Sequence, residues 1–238
     1  MTIPVPLPLA RRIASDLANR HDVTLLFPDT FPDSLVSDAL VPIVTLAYHA
    51  GGNTRITKAQ VDQSVSFTLP GVPGVALDLL SLIPPVYGIP VGTVLRGACA
   101  SLKRTVIRLS PDACTAGGEL LTTLCHELAH AAGIERNGIA GTLAYVVPEG
   151  RAGAEGPAYG QTLAGMVYLS GADVRTAVTQ IKAIIGGYAM DAAAETLTGL
   201  MVDQTAASIE AGAAIGGPWA EIAEALRAGG VDVSGVPT

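Results

Sequence analysis

Hydrophobic positions follow two different spacings along the chain, and the change between them falls near residue 110. Before it, short runs rich in β-branched residues predict strands, interrupted by Pro and Gly. We predict four strands there, over residues 22–27, 41–49, 64–69 and 104–109, and helices over residues 8–20, 75–83 and 93–102. After residue 110 the spacing becomes helical. It predicts five helices and no strand, at residues 115–133, 155–169, 173–185, 189–214 and 218–228.

This pattern predicts an α+β fold. A small mixed or antiparallel sheet in the N-terminal half would pack on the helix over residues 115–133, and the C-terminal half would be mainly helical. The length suits one domain over residues 1–238 with a substantial core. We expect it to have two lobes, an α/β lobe over residues 1–133 and a helical lobe over residues 134–238.

The composition raises the question of a membrane protein, because 49% of the 238 residues are hydrophobic, only 15% are charged, and the mean hydropathy is +0.44. A spanning helix needs roughly 18 to 20 consecutive apolar residues. The longest uncharged stretches, Leu79–Leu95 and Gly156–Ala172, are broken by prolines or diluted by glycines and a glutamine. We therefore expect a soluble protein without a membrane span, whose Ala- and Gly-rich helices suit close packing in a homo-oligomer or a larger assembly.

Charge and cysteine usage exclude several kinds of partner and compartment. A net charge of −7 and a pI near 5.0 argue against nucleic acid or an anionic membrane surface. The first basic pair, Arg11-Arg12, follows the short apolar stretch, which is the reverse of a secretory signal. Three cysteines are too few for a disulfide framework. We expect a cytoplasmic protein. The abundance of Ala and the excess of Arg over Lys indicate a bacterial or phage genome.

The helix over residues 115–133 carries the motif His126-Glu127-Leu128-Ala129-His130. Residues i and i+4 lie one turn apart on the same face, so both imidazoles can reach one Zn²⁺. Glu127 then lies beside the metal without ligating it, where it can move a proton from water to a leaving amine. Because two histidines do not hold a catalytic zinc alone, a third protein ligand is required.

The same helix separates a core face from a site face. At about 100° per residue, one stripe consists of leucines and the opposite side carries polar residues. The stripe comprises Leu120, Leu121, Leu124 and Leu128, and the polar side comprises Thr123, His126, Glu127 and His130. The competing interpretation is a surface helix with a solvated His/Glu patch.

This segment resembles the HExxH zinc metallopeptidases, the zincins, over about residues 104–170. The resemblance implies a zincin-like fold, one Zn²⁺ per chain and a peptide or protein substrate. In that family an edge strand beside the active-site helix binds substrate backbone. Residues 105–109 either have that role or form an ordinary sheet strand.

The third ligand distinguishes the zincin subclasses. Metzincins would need a histidine where Arg136 stands, and the aspartate-ligand pattern lacks its aspartate within Gly141–Tyr145. Peptide deformylases would need a specific context around Cys99 or Cys114 that this chain lacks.

In gluzincins the third ligand is a glutamate from a second helix. Glu155 is the candidate here, because Ala158 three residues later matches the small residue of the family's pattern. Pro157 would confine Glu155 to the first turn of that helix. Glu195 and Glu149, the latter expected in a loop, remain alternatives.

The leading hypothesis is thus a zinc-dependent, gluzincin-like metallopeptidase with His126, His130 and Glu155 as ligands and Glu127 as general base and then acid. Tyr159, one turn after Glu155, would stabilise the developing oxyanion or support a ligand. Two alternatives remain. One is a non-catalytic structural or interaction protein on a zincin-like scaffold, and the other is a zinc amidase or deformylase-like hydrolase.

Overall fold

The computed structural model describes residues 2–27, 29, 74–78, 105–109, 112–137, 148–187 and 192–237. Its helices are α1 (Leu7–Arg20), α2 (Gly117–Asn137), α3 (Pro148–Tyr168), α4 (Val174–Gly187), α5 (Ala192–Glu210) and α6 (Gly217–Ala228), with a 3-10 turn at Asp112–Cys114. The strands are β1 (Val23–Leu26), β2 (Gly74–Asp78) and β3 (Thr105–Leu109). Among these residues, no helix has both the length and the apolar character that crossing a membrane requires.

The predicted α+β, zincin-like fold class is wrong, because the described residues are mostly helical. Their helices have 12 to 21 residues, whereas the strands have only four or five. The strands align in the order β1-β3-β2, with β3 parallel to β1 and antiparallel to β2. Where burial is described, they add only Val23, Ile107 and Leu109 to the main core. Packing of helix on helix therefore builds the fold.

Several of the elements predicted in the N-terminal half can be compared with the structure. Helix α1 and strands β1 and β3 lie where the pattern places a helix and two strands. The prediction of a helix over residues 75–83 is wrong at residues 75–78, since Gly74–Asp78 is a strand hydrogen-bonded along β3, and residues 79–83 lie outside the described residues. Pairing with a neighbouring strand there outweighs local helix propensity. The elements predicted at 41–49, 64–69 and 93–102 lie outside the described residues.

The helix predicted over residues 189–214 is shorter, at Ala192–Glu210, and two further differences in helix ends concern the site. Helix α2 continues through Gly133 to Asn137, and α3 begins at Pro148 instead of residue 155. Proline suits the first turn of a helix, where its missing N–H costs nothing. Pro157, inside the helix, has no N–H to donate to the carbonyl of Gly153, and Gly153 is an exposed residue.

Helix α3 lies between two hydrophobic clusters. The main core includes the leucine stripe of α2, whose four members are completely buried as predicted, together with α1, α6 and Ala164 of α3. The second cluster joins Tyr159 and Leu163 of α3 to apolar residues of α4 and α5. The position of α3 is therefore fixed from both sides.

Glycines allow α3 to approach its neighbours closely. A Cβ on Gly165 would come 2.5 Å from Oγ1 and 2.9 Å from Cα of Thr122 in α2. On the other side, a Cβ on Gly160 would come 2.8 Å from Oγ1 of Thr205 in α5. A methyl group at either position would require the neighbouring threonine to shift. The backbones of α2 and α3 are therefore close along the face that carries the motif.

Candidate metal centre

The polar face of α2 is buried. Glu127 is 2% exposed and His130 is 6% exposed, and Thr123 beside them is also buried. Helix α3 covers this face, since His126 of α2 contacts Thr162 and Tyr159 of α3. The competing interpretation of a solvated surface patch is therefore wrong. The opposition of a leucine stripe to a polar face was predicted, but the shielding of the polar face from water was not.

Three residues of the predicted ligand set converge between α2 and α3. The Nε2 atoms of His126 and His130 are 2.9 Å apart. Oε2 of Glu155 lies 3.7 Å from Nε2 of His126 and 3.5 Å from Nε2 of His130. One ligand atom from each residue lies within 4.8 Å of the others. The three side chains thus form a candidate metal-binding group.

The spacing of these atoms fits a tetrahedral metal. Ligand bonds of about 2.0–2.2 Å at tetrahedral angles place ligand atoms roughly 3.3–3.5 Å apart. The two distances from Glu155 lie close to this range, and the two histidine nitrogens need to separate by only about 0.4 Å. Two imidazoles and one carboxylate also suit a first-row divalent cation. The residues present therefore fit a metal ion.

The electrostatics of the group favour the neutral form of His126. Burial and the neighbouring His130 lower the pKa of His126 to about 3, against the opposing effect of Glu155. Burial also lowers the pKa of His130, but the hydrogen bond to Glu155 and the charge of Glu127 outweigh it and raise that pKa. At neutral pH His126 is therefore uncharged, which is the form that binds metal.

Helix α3 supplies three side chains to the site from one face. Glu155, Tyr159 and Thr162 follow at spacings of four and three residues, which places them along one side of the helix. The ring of Tyr159 packs edge-on against His126, with centroids 4.9 Å apart. Oγ1 of Thr162 lies 3.0 Å from Nδ1 of His126. The sequence prediction missed Thr162, although its position seven residues after Glu155 carries the signal.

No family model, curated protein or solved structure matches this chain. Membership of the zincins therefore stays a prediction that the comparisons do not test. The interpretation of the site rests on its own geometry.

The placement of the candidate third ligands differs in detail from prediction. Glu155 lies in the interior of α3, not in its first turn, because the helix begins at Pro148. Glu149 lies in that helix instead of the expected loop. Glu195 is exposed, with its Oε1 beside Gly186 at the end of α4. Within the described part of the chain, Glu155 is the acid that groups with the two histidines.

The structure contradicts a role for β3 as a substrate-binding edge. Its backbone pairs with β1 on one side and with β2 on the other. Strand addition needs an edge with unpaired N–H and C=O groups. Of the two interpretations of residues 105–109, the ordinary sheet strand is therefore correct.

Proposed function

We propose that this protein is a zinc-dependent metallopeptidase in which His126, His130 and Glu155 hold Zn²⁺. The observation that carries this proposal is the convergence of the three ligand atoms between α2 and α3, within 4.8 Å of one another. The zinc-motif histidines and a glutamate from a second helix are the donor set expected of the gluzincin pattern. When bound, zinc supplies Lewis-acid polarisation of the scissile carbonyl.

Glu127 has the position and the chemistry for general acid–base catalysis. It follows His126 directly on α2, is almost fully buried, and its charge acts on His130. A carboxylate held there can take a proton from the attacking water and later deliver it to the leaving amine. Burial excludes competing solvent and strengthens each electrostatic interaction of this carboxylate. We assign Glu127 as the general base and then the general acid.

Tyr159 supports the site from the side of α3. Tyr159 as a whole is 4% exposed, and its ring packs at 71° to the ring plane of His126. This contact restricts rotation of the His126 ring. We therefore propose Tyr159 as a support for a ligand, while stabilisation of the oxyanion by its hydroxyl stays a prediction.

Burial of the ligands favours a structural metal site as the second candidate. The side chains of His126, His130 and Glu155 are only 14%, 5% and 21% exposed. A metal bound by them would cross-link α2 to α3 even if no substrate reached it. Structural zinc sites are usually closed by four protein ligands, whereas three ligands leave a position for chemistry. Among the described residues the group has three members, which favours the catalytic proposal.

The deciding experiment compares E127Q, E155Q and E195Q with wild type, all purified without added metal. Metal content by mass spectrometry should be near one zinc per chain for wild type, E127Q and E195Q, and should be lost in E155Q. Hydrolysis of a quenched peptide library should fall at least about 100-fold in E127Q and persist in E195Q.

Each result has a defined meaning. Wild type without stoichiometric metal overturns the proposal, and full activity in E127Q overturns the assigned mechanism. Stoichiometric zinc with no hydrolysis of peptides or small amides supports the structural candidate instead. Full zinc occupancy in E155Q would remove Glu155 from the ligand set.

A further inference from the structure

A hydrogen-bonded pair of α3 groups lies behind His126, on the side of the ring away from the other two ligands. Oγ1 of Thr162 is 3.0 Å from Nδ1 of His126 and 3.1 Å from the carbonyl oxygen of Ala158. The opposite ring nitrogen, Nε2, faces His130 and Glu155.

The directions of these hydrogen bonds follow from the chemistry of the groups. A carbonyl oxygen can only accept, so the single hydroxyl hydrogen of Thr162 is donated to Ala158. The lone pairs of Oγ1 then face Nδ1 of His126, which must be the donor. Bonds from threonine to the carbonyl four residues earlier recur at Thr179, Thr196 and Thr205, so this use of the hydroxyl is general in these helices.

A proton on Nδ1 leaves Nε2 of neutral His126 with its lone pair, aimed at the ligand group. In metal sites, the partner of the non-ligating nitrogen fixes the tautomer and the orientation of a histidine ligand. We propose that Thr162 is a positioning residue that holds the His126 ring with Nδ1 protonated and Nε2 directed at the metal. Its effect on metal affinity rests on the proposed function, whereas its effect on the His126 ring does not.

The test uses the full chain with three substitutions. T162V keeps the shape of the side chain and removes the acceptor, T162S keeps the hydroxyl, and T205V removes a comparable hydroxyl that bonds to Met201 in α5. Zinc affinity is measured by competition with a chromogenic chelator. We expect T162V to bind zinc roughly 10- to 100-fold more weakly, and T162S and T205V to stay close to wild type.

A second readout needs no metal. In the metal-free protein, NMR of the imidazole should show the Nδ1 proton of His126 downfield and protected from exchange with water. In T162V this resonance should move upfield and exchange faster, while T205V leaves it unchanged. T162S, which keeps the hydroxyl, should keep the downfield and protected Nδ1 proton. A difference between T162V and T162S in this proton therefore reports the hydroxyl acceptor and not a general loss of packing.

The two readouts separate this proposal from the proposed function. Unchanged protection of the Nδ1 proton in T162V overturns the positioning role, as does wild-type zinc affinity in T162V. If wild type binds no zinc, the metallopeptidase proposal fails, and the exchange of the Nδ1 proton still decides the role of Thr162.

Discussion

Gln161 and Thr162 are consecutive on α3 and have different partners. Thr162 contacts His126, whereas the buried side chain of Gln161 reaches the start of α6. Its Oε1 accepts the backbone N–H of Trp219 at 2.7 Å, and its Nε2 donates to the carbonyl of Gly216 at 3.3 Å. The first N–H groups of a helix have no partner within the helix. Gln161 therefore caps α6 from another helix, while its neighbour serves the candidate site.

The first prediction concerns Q161L. Leucine fills the space but accepts no hydrogen bond, so it leaves the buried N–H of Trp219 unpaired. We expect the free energy of unfolding to fall by about 1–3 kcal/mol, measured by urea denaturation of the metal-free protein. Q161E, which keeps an acceptor near a helix N-terminus, should retain most of the stability. Zinc affinity should stay unchanged in both variants, and a Q161L protein as stable as wild type would contradict the capping role.

At the scale of elements, the site depends on the antiparallel register of α2 against α3. Thr122 faces Gly165, His126 faces Thr162, and His130 faces Glu155. Between the Thr122–Gly165 contact and the His126–Thr162 contact, each helix advances about one turn. A change in helix spacing at Gly165 should therefore reach the ligands one turn away.

The second prediction compares two glycine substitutions on α3. Alanine at Gly165 would press on the backbone of Thr122, whereas alanine at Gly156 would meet only side-chain atoms of Met201, from the thioether to Cβ. Alanine gains about 1 kcal/mol of helix propensity over glycine, but overpacking costs typically 1–3 kcal/mol. We expect G165A to lose about 1–2 kcal/mol of stability and to bind zinc more weakly, and G156A to remain near wild type. Urea denaturation and chelator competition measure both effects, and a G165A protein at least as stable as G156A would refute this register argument.

Periodicity and motif spacing predict helices well where a helix satisfies its own backbone and buries one clear stripe. The leucine stripe of α2 and the opposing His126, Glu127 and His130 are such a case. The pattern could not show that a second helix covers the polar face, because that contact depends on Gly165, whose role is visible only in three dimensions. The sheet-based fold class fails for a related reason. Short β-branched runs indicate local strand propensity, not how much of the core strands provide.

The start of α3 and the role of Thr162 illustrate the same limit at the candidate site. Pro148 and the glycines after it suggest a loop, although packing against α2 and α5 sustains a helix there. Glu155 could be selected from its distance to the motif and its neighbour Ala158. The spacing of seven residues places Thr162 on the same face as Glu155, but a threonine in a helix is usually bonded to its own backbone, and only the geometry shows the second partner, His126.

At the scale of the molecule, the candidate site joins helices of both hydrophobic clusters. The main core draws residues from Ile3 to Val233, and the second cluster draws on α3, α4 and α5. The N-terminal segment is attached to the end of α3, since the N–H of Ile3 donates to the carbonyl of Tyr168. His21, at the end of α1, pairs with Glu221 of α6 at 2.9 Å. A ligand that fixes α2 to α3 should therefore stabilise the whole described fold.

The third prediction is that removal of metal lowers the melting temperature of the protein. A ligand that binds only the folded state, at a free concentration 100 times its Kd, adds about 2.7 kcal/mol to stability. For a chain of this size that amounts to about 5–10 °C. Thermal unfolding with a chelator and then with excess zinc should show this difference for wild type and for E195Q.

E155Q, which lacks the carboxylate close to the two histidines, should melt at the same temperature in both conditions. Equal zinc-dependent shifts in E155Q and wild type would mean that the stabilising ion binds elsewhere on the chain.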